Sequence, residues 1–184
     1  FLCMRYYLVA TLDFDSTKSI EFLQRNIQRK YKISRTSSTF YIPLETLEDP
    51  NVEKLDNILK KLIKPYKKFK IELTGDLNYH DYLNKSASLR IENKGYIKKL
   101  HRSLNDMLKL HGFSIRENID SPLFMPLSFN SLGKPIKKSE PINQFLPLRT
   151  ASKRNVVKVS NIELWKSTHN KKDNIIKTYT LPSY

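Results

Sequence analysis

The chain has 184 residues and a mass of 21.7 kDa, a length that fits one domain or one fold built from two small lobes. Lys and Arg number 33 against 18 Asp and Glu, a formal charge of +15, while 39% hydrophobic and 11% aromatic residues suffice for a core and exclude wholesale disorder. The longest apolar stretch, Tyr6 to Leu12, falls far short of the roughly 20 residues of a membrane span, and no leader-like apolar segment precedes a small-residue cleavage site. A protein of the cytoplasm is therefore expected, with no membrane partner. The single cysteine, Cys3, allows no internal disulfide, and with four scattered histidines neither a structural metal nor a cofactor is expected. The charge favours a polyanionic partner such as RNA. The competing explanation is compositional bias, since Lys, Asn and Ile are abundant and Gly numbers only 4.

Met4 reads as a natural start, which sets the domain at 4–184 and makes 1–3 a remnant or alternative-start sequence. RYYLVATL, residues 5–12, is aromatic and β-branched and predicts a strand. Asp15 or Ser16 is placed to cap a helix to about residue 30, its apolar stripe being Ile20, Leu23, Ile27 and Tyr31. TFYIPL, 39–44, predicts a second strand. Asp49-Pro50 then opens a helix whose stripe is Val52, Leu55, Ile58, Leu59 and Leu62, with Pro65 ending it. FKIEL, 69–73, alternates as a half-buried strand and is closed by Gly75-Asp76.

The second half repeats the plan. ASLRIE, 87–92, is a strand, and 94–111 is a helix with Ile97, Leu100, Leu104, Met107 and Leu108 on one face and Gly112 after its end. LFMPLSF, 123–129, is a strand, and 130–155 is a long irregular, lysine-bearing stretch. VVKVSNIELWK and NIIKTYTL close the chain as two strands. The strands containing Tyr41-Ile42-Pro43-Leu44 and Phe124-Met125-Pro126-Leu127 occupy equivalent places after a helix in each half, a weak internal duplication.

That duplicated order, together with the opening RYYLVATL, the segments FYIPLETLEDPNVEKL and LFMPLSF, and the ending VKVSNIELWKSTHNKKDNIIKTYTL, resembles the 2H phosphoesterase superfamily. This group contains LigT-like 2′-5′ RNA ligases and cyclic phosphodiesterases. The resemblance implies an α+β, bilobal, LigT-like fold, with two antiparallel-sheet lobes and outer helices around a central cleft. It also implies a histidine from each of two His-x-Thr-x strands acting as general base and general acid on a phosphodiester. Here the matching positions hold Tyr41 with Pro43, and Phe124 with Pro126, while the position of a following arginine is Phe129.

The replacement has a chemical consequence. Histidine exchanges protons near neutral pH, tyrosine titrates near 10, and phenylalanine and proline transfer none. General acid–base catalysis contributes roughly 10²–10⁴-fold per group, so losing both histidines removes most of the implied chemistry. Ser128 is the nearby hydroxyl, suited to phosphate binding. His80, His101, His111 and His169 have no partner at catalytic spacing and read as structural or solvated. No catalytic residue is therefore assigned.

The ligand-binding candidates are Tyr7, Tyr41, Phe124 and Ser128 on the strands, with Lys134, Lys137, Lys138, Arg149, Lys153 and Arg154 as a basic rim. Aromatics flanked by cations can stack bases while the cations hold phosphates. The plainer alternative is that Tyr41 and Phe124 fill an abandoned pocket and pack on each other. The run Lys60, Lys61, Lys64, Lys67, Lys68 and Lys70 is either a further binding surface or a solvated face. The expectation is a catalytically degenerate, monomeric phosphoesterase-like protein that binds RNA or a nucleotide phosphate. An active phosphodiesterase or RNA ligase with a non-standard residue set, and a protein-interaction scaffold, are the alternatives.

Overall fold

The structure is a computed structural model and describes residues 3–31, 34–35, 39–80, 86–115, 122–129, 139–141, 156–167 and 174–184. Its elements in chain order are β1 (Arg5–Leu12), α1 (Phe14–Tyr31), β2 (Ser34–Arg35), β3 (Tyr41–Glu48), α2 (Val52–Ile63) and β4 (Phe69–His80). Then follow β5 (Ser86–Ile91), α3 (Gly95–Leu110), β6 (Leu123–Phe129), β7 (Ser139–Pro141), β8 (Val156–Lys166) and β9 (Asn174–Thr180). The expected strands at the start, at 123–129 and at the end form as read.

All pairings are antiparallel, in the order β2-β6-β5-β4-β8-β1-β3, with β7 added on β4 and β9 on β8. The two halves join where residues 69–72 of β4 pair with 156–159 of β8. The sheet curls so far that β3 and β6 approach one another without pairing. One face of the curl packs on the helices, and Leu8, Ala10, Ile42, Leu44, Leu89, Met125 and Leu164 meet Ile20, Leu23, Leu55, Leu59, Leu100 and Leu104 there.

Four local readings are corrected. The cap of α1 is Asp13, whose carboxylate accepts from the Ser16 amide at 2.8 Å; Ser16 Oγ instead accepts from the Lys158 amide at 2.8 Å, tying α1 to β8. The cap of α2 is Asn51, accepting from the Lys54 amide at 3.1 Å, rather than Asp49. Asp49 sits at φ 44 and exchanges hydrogen bonds with Met4, which fastens the end of β3 to the start of β1. Finally, Gly75-Asp76 does not end β4: Gly75 at φ 93 lies inside a register shift between Leu73 and Leu77, and the strand continues to His80. In the expected irregular stretch, 139–141 form β7 against β4. Gly112 ends α3 as read, at φ 78, with its amide on the Lys109 carbonyl and the Phe113 amide on the Leu108 carbonyl.

Candidate functional site

The two proline-bearing strands carry the same irregularity. On β3, Leu8 pairs with Glu45 but Val9 pairs with Pro43, so Leu44 is an extra residue. On β6, Ala87 pairs with Ser128 but Ser88 pairs with Pro126, so Leu127 is an extra residue. Such bulges re-aim the side chains that follow them. Pro43 is tolerated because β3 is the edge of its half of the sheet, where no second neighbour needs its missing N–H. The Leu127 carbonyl is caught by the buried Gln24 side chain of α1 at 2.6 Å, which fixes β6 against the helix layer.

The β3 bulge decides where Glu45 goes. Simple alternation would put it on the face of Tyr41 and Pro43. The extra residue turns it to the helix side, where it is 1% exposed, with Asn105 Nδ2 donating to it at 3.3 Å and His101 Nε2 standing 3.6 Å away. His101 is therefore a core histidine, as expected. His111 caps the end of α3, its carbonyl accepting from Lys54 Nζ at 2.8 Å. His80 ends β4, and His169 lies outside the described residues.

The face turned away from the helices is read from the registers, because directly paired residues share a face. Tyr7 lies between Thr46 and Trp165, Val9 between Pro43 and Glu163, and Thr11 between Tyr41 and Asn161. Tyr41 reaches over this surface to Trp165, with ring centroids 4.7 Å apart and planes at 58°. Tyr7, Tyr41, Pro43, Phe124 and Pro126 are all half-buried. On the other half, Phe124 pairs with Arg90, an exposed cation on the same face, and Pro126 with the buried Ser88. Ser128 stands in β6, with its side chain outside the described residues, as are Lys134, Lys137, Lys138, Arg149, Lys153 and Arg154.

Residues not singled out from the sequence dominate the floor of this surface. Thr11, Glu163 and Trp165 are 7%, 8% and 6% exposed, and Thr11 Oγ1, Glu163 Oε2 and Trp165 Nε1 are buried without a hydrogen-bond partner. Burial pushes the Glu163 carboxyl up, and the nearby Trp165 indole N–H offsets part of this, although the two stop short of a formed hydrogen bond. The alternation of Asn161, Glu163 and Trp165 against Ile162 and Leu164 was the available signal for this row. Among the described residues, no cluster of three or more His, Cys, Asp or Glu offers a metal site.

The lysine run is exposed except for the half-buried Lys68, as either a binding surface or a solvated face would be. Lys60 pairs with Asp56 at 3.0 Å, and Lys67 stands over the Tyr184 ring at 4.9 Å. Asp56 also accepts from the Tyr179 hydroxyl at 2.7 Å, and those two partners hold its carboxyl below the usual range.

The fold as a whole has counterparts among solved structures. E. coli LigT complexed with 3′-AMP is 14% identical, with a TM-score of 0.64 over 98% of this chain and 99% of that one. TT0787 of Thermus thermophilus is 12% identical, with a TM-score of 0.68 over 98% and 99%. The chain has the LigT-like 2H phosphoesterase fold. The MHV ns2 PDE domain is a further match, 11% identical with a TM-score of 0.57 over 89% of this chain and 99% of that one. Neither a family model nor a curated protein matches the sequence. No described helix of this LigT-like chain is long and apolar enough to cross a membrane.

Proposed function

We propose that the protein binds RNA or a nucleotide in this cleft without the phosphodiester chemistry implied by its resemblance. The observation that carries the reading is the half-buried aromatic surface of Tyr7, Tyr41 and Phe124, with the exposed Arg90 beside Phe124. Aromatic faces accept any base by stacking, and cations nearby hold the phosphates. The solved LigT complexes with 3′-AMP, ATP and NADP+ support nucleotide binding as the reading for a cleft of this fold. Pro43, Phe124 and Pro126 offer no proton to transfer, and Tyr41 is a weak base at neutral pH. Lys134, Lys137, Lys138, Arg149, Lys153 and Arg154 are proposed as the rim.

The test is fluorescence anisotropy with a short single-stranded RNA at ~50 and ~200 mM salt. Affinity should fall with salt at a log–log slope of about 0.7 per neutralised phosphate. No binding at the lower salt sinks the reading. Turnover of a 2′,3′-cyclic nucleotide that is lost in Tyr41→Phe would replace it with an enzymatic one.

A further inference from the structure

Three polar atoms on the cleft floor lack partners: Glu163 and Trp165 share a face two residues apart on β8, and Thr11 stands on the same face of β1, opposite Asn161. Glu163 Oε2 is an acceptor, Trp165 Nε1–H is a donor, and Thr11 Oγ1 can be either. Leaving such atoms buried and unpaired costs free energy, so groups held this way call for a ligand that completes them. The paired rows Val9–Glu163 and Tyr7–Trp165, with Pro43 and Tyr41 beside them, hold no cation. An ionised carboxylate there repels phosphate, and phosphate carries no hydrogen for Glu163 to accept at neutral pH. What fits is a flat neutral ring whose edge places an N–H donor next to an acceptor, between aromatic faces.

We infer that the floor formed by Thr11, Glu163 and Trp165 recognises the edge of an amino-bearing nucleobase, adenine or cytosine, while the phosphates lie at the rim. This rests on the cleft reading above and adds to it a specificity. The exocyclic amine donates to Glu163 Oε2, and the adjacent ring nitrogen accepts from Trp165 Nε1 or Thr11 Oγ1. Hypoxanthine and uracil replace that amine by a carbonyl, which sets oxygen against the Glu163 carboxylate. The Tyr41 ring, half-buried and packed on Trp165, covers that part of the floor, so a base reaches the Trp165 indole only when Tyr41 turns aside. After turning, its face is available to stack on the base.

The experiment compares AMP with IMP and CMP with UMP by isothermal titration, on the full chain and on Glu163→Gln. The expected result is a preference for the amine of roughly 10- to 100-fold, falling to within about threefold in E163Q, whose amide can donate as well as accept. Because burial raises the Glu163 carboxyl, the preference should also weaken as pH falls toward that raised value. Trp165→Phe keeps the ring but removes the donor, and should weaken AMP several-fold; it serves if E163Q fails to fold. Equal affinity for AMP and IMP overturns the inference and leaves the cleft reading standing, as does an unchanged preference in E163Q. Failure of every nucleotide, together with failure of RNA in the salt titration, overturns both.

Discussion

Gln24 is a long-range tie whose removal has a calculable result. Its side-chain amide donates at 2.6 Å to the Leu127 carbonyl, and the residue is 1% exposed. The acceptor belongs to the extra residue of the β6 bulge, so Gln24 satisfies a carbonyl that the β5–β6 register displaces. Gln24→Leu conserves volume but removes this buried hydrogen bond, a cost of about 0.5–1.5 kcal/mol. Gln24→Ala adds the loss of two buried carbon positions at about 0.8 kcal/mol each, giving about 2–3 kcal/mol. For a chain of this size these losses lower Tm by roughly 1–6 °C for leucine and more for alanine. Urea melts of the three proteins measure the difference, and hydrogen exchange at the β6 amides should show faster opening there than in β1. A Q24L protein as stable as the parent would refute the claim that this hydrogen bond holds the bulge.

Gly112→Ala should cost about 1 kcal/mol, readable in the same melts; a Cβ there meets nothing within 4 Å, so the cost is that of φ 78 alone. Tyr41→Ala should weaken single-stranded RNA roughly 5- to 100-fold in the anisotropy assay, the value of one lost stacking face. Asp56 has its carboxyl lowered by Tyr179 and Lys60, so its contribution is present above the ordinary value of 3.8 and is lost as pH falls through the lowered one. Tyr179→Phe should therefore flatten the acid limb of a stability–pH curve, an effect checked by urea melts between neutral pH and the acid transition. Glu163 has the opposite sign: its carboxyl is raised above 4.5, so its stability contribution is greatest below 4.5 and is lost as pH rises through the raised value. Glu163→Gln should then be at least as stable as the parent at neutral pH, with the advantage vanishing in acid; a Tm that drops at pH 7 would contradict this.

Elements with a local signature were legible. Apolar spacing gave the three helices, β-branched runs gave β1 and β8, an apolar and aromatic run gave β6, and Gly112 marked the end of α3 because left-handed backbone there needs no side chain. Where one local signal serves two structures, the sequence misled. Gly75-Asp76 reads as a turn, yet the same positive φ accommodates a bulge inside a strand. Asp49-Pro50 resembles a helix start, while Asn51 is the residue whose side chain reaches the Lys54 amide. At the site, Tyr7, Tyr41 and Phe124 followed from strand alternation and do stand on the expected strands. The partner of Tyr41 did not, because the contact with Trp165 depends on the curl of the whole sheet. Nor could alternation foresee Glu45, which the extra residue at Leu44 turns away from the cleft.

The charge of the chain and the chemistry of its cleft floor pull in different directions, and distance resolves them. A carboxylate about 4 Å from a phosphate opposes it by about 4 kcal/mol at an effective dielectric of 20, more than one exposed cation returns. The surplus of +15 acts over the Debye length, about 8–10 Å at physiological salt, which draws a polyanion toward the protein but does not choose which of its groups enters. In the proposed site the floor would make that choice, by offering Glu163, Trp165 and aromatic rings, with no cation in the rows that pair around them. On this reading the two histidine positions of the resembled family have not simply been emptied. With Tyr41 lying on Trp165, two residues along β8 from the buried Glu163, the proposed site exchanges an environment for phosphate for one that favours a neutral ring.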